Sequence, residues 1–198
     1  MAEREKDKLH SLKFLFSFWL IGGVVGVTIA CCFAGGYAES YNIMQMWIYD
    51  SVKGMQQNQT AYFMMNFKSH GKELLILLCM SFTFFSMLYK SLFCFWKGIM
   101  IGFIYAASIK SYSMNGLLLG IAYMFPQGIF YGGAIVAMFS LSRRIEEKQL
   151  YSFGKKTALF WNVLPILIVA FLCIGIGAFL EGNINLFLLK KILAKCIS

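Results

Sequence analysis

Two histidines, six cysteines, nine acidic residues and one glutamine beside a proline are what this 198-residue chain offers to chemistry. Zinc needs His, Cys or carboxylate ligands converging on one point. His10 falls in the N-terminal arm and His70 between two apolar runs, so no His pair or His/Glu cluster is expected inside a membrane, and no metal is assigned. Of Cys31, Cys32, Cys79, Cys94, Cys173 and Cys196, five lie in apolar runs and none forms a C-x-x-C pair; they read as small buried hydrophobes. A serine nucleophile needs a base beside it, and the apolar runs hold no histidine and no mid-run lysine. Lys97 and Lys110 stand near run ends, where an ammonium reaches back to water. The chain is therefore expected to be neither an enzyme nor a cofactor carrier. Gln127, directly after Pro126, has two readings. Backbone groups freed by the proline and the glutamine amide could line a small polar site, as in transporters with discontinuous helices. Alternatively the proline kink is packed and the amide is satisfied by backbone.

The elements that carry these residues belong to a bilayer. The chain is 59% hydrophobic and 17% aromatic, with 14% charged residues and a mean hydropathy of +0.67. Crossing about 30 Å of hydrocarbon takes roughly 20 mostly apolar residues. Runs near 13–36, 73–96, 97–113, 115–140 and 157–181 meet that need, which predicts an all-α, polytopic helical bundle of about five transmembrane helices in one membrane domain spanning 1–198. The first run lacks a small-residue cleavage site and is read as retained.

The net charge of +9 does not mark a nucleic-acid surface, because the basic residues sit at run ends. Arg4, Lys6, Lys8 and Lys13 precede the first run, Lys90 and Lys97 mark the second turn, and Arg143, Arg144, Lys148, Lys155 and Lys156 fill the fourth loop. The other side receives Lys53, Lys68 and Lys72, then Lys110, then Lys190, Lys191 and Lys195. The heavier set belongs in the cytoplasm, which predicts a multi-pass cell-membrane protein with its N-terminus inside and its C-terminus outside. Trp19, Trp96 and Trp161 fall near the inner boundary under the same reading.

Seven of the 18 glycines lie between residues 98 and 133. Gly22/Gly26, Gly98/Gly102, Gly116/Gly120 and Gly128/Gly132 each share a helix face, the spacing that lets a neighbouring backbone approach. The turn between the second and third runs is placed either at Lys90 or at Lys97 and Gly98. Pro126, unable to donate and crowding the preceding turn, is expected to break the fourth span near Phe125.

The segment FPQGIFYGGAIVAMFS (125–140) resembles the PHGIFE-type signature of the stage II sporulation protein M family. It follows KGIMIGF (97–103), where that family carries an NG-containing turn, and precedes FLEGNINLFLLKKIL (179–193), similar to the family's closing span with an acid, here Glu181, at its outer end. The resemblance covers roughly residues 60–190. Pro126, Gly128, Ile129 and Phe130 match; Gln127 replaces the family's His, and Tyr131 its Glu. The resemblance implies a non-catalytic scaffold in the mother-cell engulfing membrane of a sporulating bacterium. That scaffold would anchor two peptidoglycan-cleaving partners, stage II sporulation proteins D and P, so that the mother-cell membrane migrates around the forespore.

An external segment, 38–72, carries Tyr41, Met44 and Trp47 and then AYFMMNF (61–67); it would lie in the headgroups or meet a partner helix, and Glu181 borders the same side. The tail 183–198 reads as a basic amphipathic helix for anionic lipid or a partner. The competing class is a small transporter or channel subunit built around the break at Pro126.

Overall fold

The computed structural model describes residues 2–33, 58–151, 156–185, 187, 188 and 191. Among these are six helical elements and no strand: α1 (Ala2–Phe33), α2 (Gln59–Ser81), α3 (Ser86–Met124), α4 (Gln127–Tyr151), α5 (Lys156–Leu180) and a closing π-helical turn (Glu181–Asn185). Among the described residues three stretches are long and apolar enough to cross a membrane: Lys13–Cys32, Ser86–Tyr112 and Val163–Asn185. A fourth is reached if Met114–Met124 and Gln127–Ile145, bent by 51° at their junction, count as one. The protein is thus an all-helical membrane protein by length and composition.

Helix α2 begins at Asn58, whose side chain accepts from the Ala61 amide at 3.1 Å, the bond an N-cap supplies. It stops without glycine or proline. The Ser81 hydroxyl donates to the Leu77 carbonyl at 2.6 Å and Thr83 to that of Met80 at 2.7 Å, while the Phe82 and Thr83 amides turn back onto Cys79 and Met80. Hydroxyl and amide donors thus use up the carbonyls at the helix end. The chain accordingly breaks at 82–85, and not at Lys90 or at Lys97 and Gly98 as the spacing of lysines led one to expect; α3 runs unbroken through both lysines. Lys90, taken for a boundary residue, is only 3% exposed.

The chain divides into two compact units, residues 1–48 with 87–120, and 49–86 with 121–198. In the first, α1 and the first limb of α3 pair through glycines. A Cβ on Gly22 or Gly26 would collide with the carbonyls of Phe95 and Ile99, and one on Gly98 or Gly102 with those of Trp19 and Gly23. Residue numbers rise together along the seam, so the two helices run parallel with their backbones in contact, the packing that small-xxx-small spacing allows. Further on, Gly116 backs onto the Ser108 carbonyl and Gly120 onto the Tyr105 ring. Eight helical residues would hold Ser108 and Gly116 about 12 Å apart in a straight rod. The chain therefore folds back on itself near residue 113, where the separate apolar stretches end and begin.

In the second unit, α2, α4 and α5 pack around Leu74, Leu77, Ala134, Met138, Ala170, Ile174 and Ala178, all buried. Phe67 meets Phe171, while Tyr62 and Tyr131 reach Glu181, so α2 and α4 both run antiparallel to α5. At the other end of this unit the Ser86 and Ser142 hydroxyls bond at 3.0 Å.

Candidate functional site

A group of polar residues gathers toward one end of the second unit, where α2, the junction of α3 and α4, and the closing turn meet. Helix α2 presents Tyr62, Asn66 and His70 at intervals of four, one face of a helix. Helix α3 ends at Met124 because Pro126 cannot continue it. Phe125 is extended (φ −102°, ψ 136°), the Phe125–Pro126 peptide is cis, and α4 starts at Gln127. The restart puts Gln127 and Tyr131 one turn apart on a single face. Opposite them stand Gly177, Glu181 and Asn185, the last two in the π-helical turn, a widened turn type that recurs at functional positions.

Glu181 is the centre of the arrangement. It is 7% exposed and accepts from two phenols, Tyr131 Oη on Oε2 at 2.7 Å and Tyr62 Oη on Oε1 at 3.4 Å. The short bond is in the range of charge-assisted or strong hydroxyl pairs and the long one is weak. Gly177 makes the short one possible: a Cβ there would sit 2.7 Å from the Tyr131 ring. The His70 imidazole lies over that ring, centroids 3.9 Å apart and planes tilted by 32°, and His70 Nδ1 is 3.4 Å from Glu73 Oε2. One turn away is a second polar rung. The Gln127 and Asn185 side-chain amides both donate to the Tyr123 carbonyl, the Asn185 bond being 3.3 Å. That carbonyl lies four residues before Gln127, and Gln127 takes part in filling the role a backbone amide would have had. The backbone-satisfied reading of Gln127 therefore describes its nitrogen. Its Oε1, like Asn185 Oδ1, is buried with no donor among the described residues, although the two residues are 4% and 0% exposed.

Of the residues singled out from the sequence, Gln127, Tyr131 and Glu181 come together here. Ile129 faces outward at 65% exposure, Phe130 is half-buried, and Pro126 forms the break. Gly98 and Gly102 pack on α1, and Gly116 and Gly120 on the preceding limb of their own helix. Gly128 and Gly132 do not pack on a helix: the nearest atom to a Cβ on Gly128 is the Met124 Cβ at 4.0 Å, and Gly132 has nothing within 4 Å. Helix α4 turns its Gln127/Tyr131 face to α5, and among the described residues of its own unit no helix packs on the glycine face. Tyr41, Met44, Trp47 and ten of the sixteen residues of the expected amphipathic tail lie outside the described residues. Tyr62, His70 and Asn185 were not marked in the sequence. Asn185 lies one helical step from Glu181, a usable local signal, whereas Tyr62 is 119 residues from its partner. Comparison with protein families, with curated proteins and with solved structures finds no match to this chain.

Proposed function

We propose that the protein is a non-catalytic, multi-pass membrane scaffold of the stage II sporulation protein M type, holding peptidoglycan-cleaving partners at the septum during engulfment. One observation carries the reading: two of the three sequence segments on which the resemblance rests meet physically, Tyr131 of 125–140 bonding Glu181 of 179–193 at 2.7 Å. In that contact the reactive groups are used in holding helices together. A phenol pair on a buried carboxylate fixes α2, α4 and the closing turn relative to one another, which is what a platform for other proteins needs.

The same reading includes five spans, with the fourth broken at Pro126, the N-terminus inside and the C-terminus outside. The parallel seam of α1 and α3 supports this count, since a chain that crosses twice in the same direction must cross back in between. Helix α2, 23 residues and about 34 Å long at 1.5 Å per residue, is the described helix in that interval. Its polar face of Tyr62, Asn66 and His70 is turned to α4 and α5, so it needs less apolar surface than a lone span.

The test is recovery of partners. Tagged protein isolated from sporulating cells at the time of engulfment is expected to bring down the septal wall hydrolases. Deletion is expected to leave polar septa whose mother-cell membrane does not migrate. Normal engulfment without the gene would overturn the assignment. The transporter reading is favoured by one feature, the helix break at Pro126 with the unpartnered Gln127 Oε1, and predicts solute flux in proteoliposomes, which a scaffold lacks.

A further inference from the structure

The two polar rungs in the second unit do not balance. Glu181 holds a carboxylate in a nearly sealed place; His70, against the Tyr131 ring, is the ionisable base near it, and no Lys or Arg among the described residues comes within salt-bridge distance. A carboxylate taken out of water is costly unless something cationic accompanies it. One turn along, Gln127 Oε1 and Asn185 Oδ1 are buried acceptors with no donor. Their nitrogens are spoken for by a single shared carbonyl, that of Tyr123, which brings the two amides side by side and fixes which end of each is the oxygen. Asn185 is four residues beyond Glu181, and Gln127 four before Tyr131, so the orphan oxygens and the carboxylate belong to adjacent turns of the same two elements. The Glu181 carboxylate and the two amide oxygens are all-oxygen donors, the type that suits hard cations. Unwound segments of membrane helices coordinate monovalent cations through oxygen as well.

We propose that Glu181, Gln127 and Asn185 form a buried binding site for a monovalent alkali cation. Charge selects the class. One carboxylate and one monovalent ion leave the site neutral, whereas a divalent ion would leave a net positive charge buried with a single carboxylate to offset it. The two phenols, donating to Glu181, orient the carboxylate and keep it from collapsing onto a backbone amide. The site is independent of the scaffold assignment: it concerns what stabilises this helix junction, whichever partners the protein holds.

The experiment is thermal unfolding of the full-length protein in detergent or nanodiscs, at fixed pH and ionic strength, with choline chloride replaced stepwise by sodium chloride and in parallel by potassium chloride. A saturable rise in Tm with at least one alkali ion is expected, roughly 3–5 °C at ten times the dissociation constant by mass action and the size scaling of Tm. Glu181→Gln should unfold at a temperature that does not depend on the ion. Should that variant fail to fold, Asn185→Ala, which keeps the charge, should shift the saturation to at least tenfold higher cation concentration. Broadening of the ²³Na resonance by wild-type protein, relieved in the same variant, reads binding without unfolding. Identical Tm in choline and alkali salts, or an equal rise in Glu181→Gln, overturns the proposal. So does a Tm that follows pH alone, which would make a proton the companion of Glu181.

Discussion

Tyr131 and Tyr62 touch the same carboxylate, but they are not equivalent. Tyr131→Phe removes a 2.7 Å donor from buried Glu181 and is expected to cost about 1–2 kcal/mol, the upper part of what side-chain hydrogen bonds give in membrane bundles. Tyr62→Phe removes a 3.4 Å contact and should cost less than about 0.5 kcal/mol. Unfolding by SDS titration of the purified protein measures both; equal losses would mean that the carboxylate has moved to share its donors evenly. Gly177→Ala tests the same bond from the other side, because the added methyl would meet the Tyr131 ring at 2.7 Å and displace the phenol. It should lose at least as much as Tyr131→Phe, and the double variant little more than either alone, since both remove one interaction. The sequence marks Gln127 by its polarity directly after Pro126; it marks Tyr131 and Glu181 through motif resemblance, and Pro126 as a break through covalent chemistry alone. It does not mark Tyr62 or Asn185, because tyrosines and asparagines in membrane chains are frequent at interfaces and only the packing of α2 along α5 brings Tyr62 to its partner.

Among the elements, the glycine pairs separate into two kinds that spacing does not distinguish. Gly22/Gly26 and Gly98/Gly102 interlock α1 and α3, whereas Gly128/Gly132 keep the same spacing on a face with no helix against it among the described residues of its unit. A Cβ on Gly26 would lie 2.9 Å from the carbonyl carbon of Ile99, and one on Gly23 no nearer than 3.9 Å to the Gly98 carbonyl oxygen. Gly26→Ala is therefore expected to cost about 1–3 kcal/mol, the range for over-packing a tight contact. Gly23→Ala and Gly132→Ala should unfold within error of wild type. A destabilised Gly23→Ala would mean that the seam is rotated from the arrangement described. The end of α2 was hidden for a related reason. Helix ends announced by proline are legible, as at Pro126, but the break at 82–85 is made by the Ser81 and Thr83 hydroxyls bonding back to carbonyls, and these residues are equally common inside spans. The lysines that seemed to mark it lie within a continuous helix, Lys90 buried and Lys97 with its ammonium 5.5 Å from the centre of the Phe93 ring. Phe84, by contrast, is 98% exposed at the break, where an aromatic ring can sit at a membrane surface.

For the molecule as a whole, hydropathy and charge carry the class of fold but leave the number of crossings open, and the open question is α2. By composition it falls short of a span, since Lys68, Lys72 and Glu73 interrupt it. Connectivity calls for a crossing between α1 and the first limb of α3, which run the same way along their glycine seam, and α2 is the described helix in that interval. If α2 crosses, the ends of the chain lie on opposite sides of the membrane, and so do Asn58 and Thr83, which bracket α2. Alkaline-phosphatase reporters, active only outside the cytoplasm, read this directly. Fusions after Asn58 and at Ser198 are expected to be active, and fusions after Thr83 and Arg144 inactive. Equal activity after Asn58 and Thr83 would make α2 a surface helix. In that case α1 and α3 would have to traverse in opposite directions, the parallel seam of Gly22, Gly26, Gly98 and Gly102 could not form within one chain, and the substitution at Gly26 should then be silent. The two experiments therefore stand or fall together.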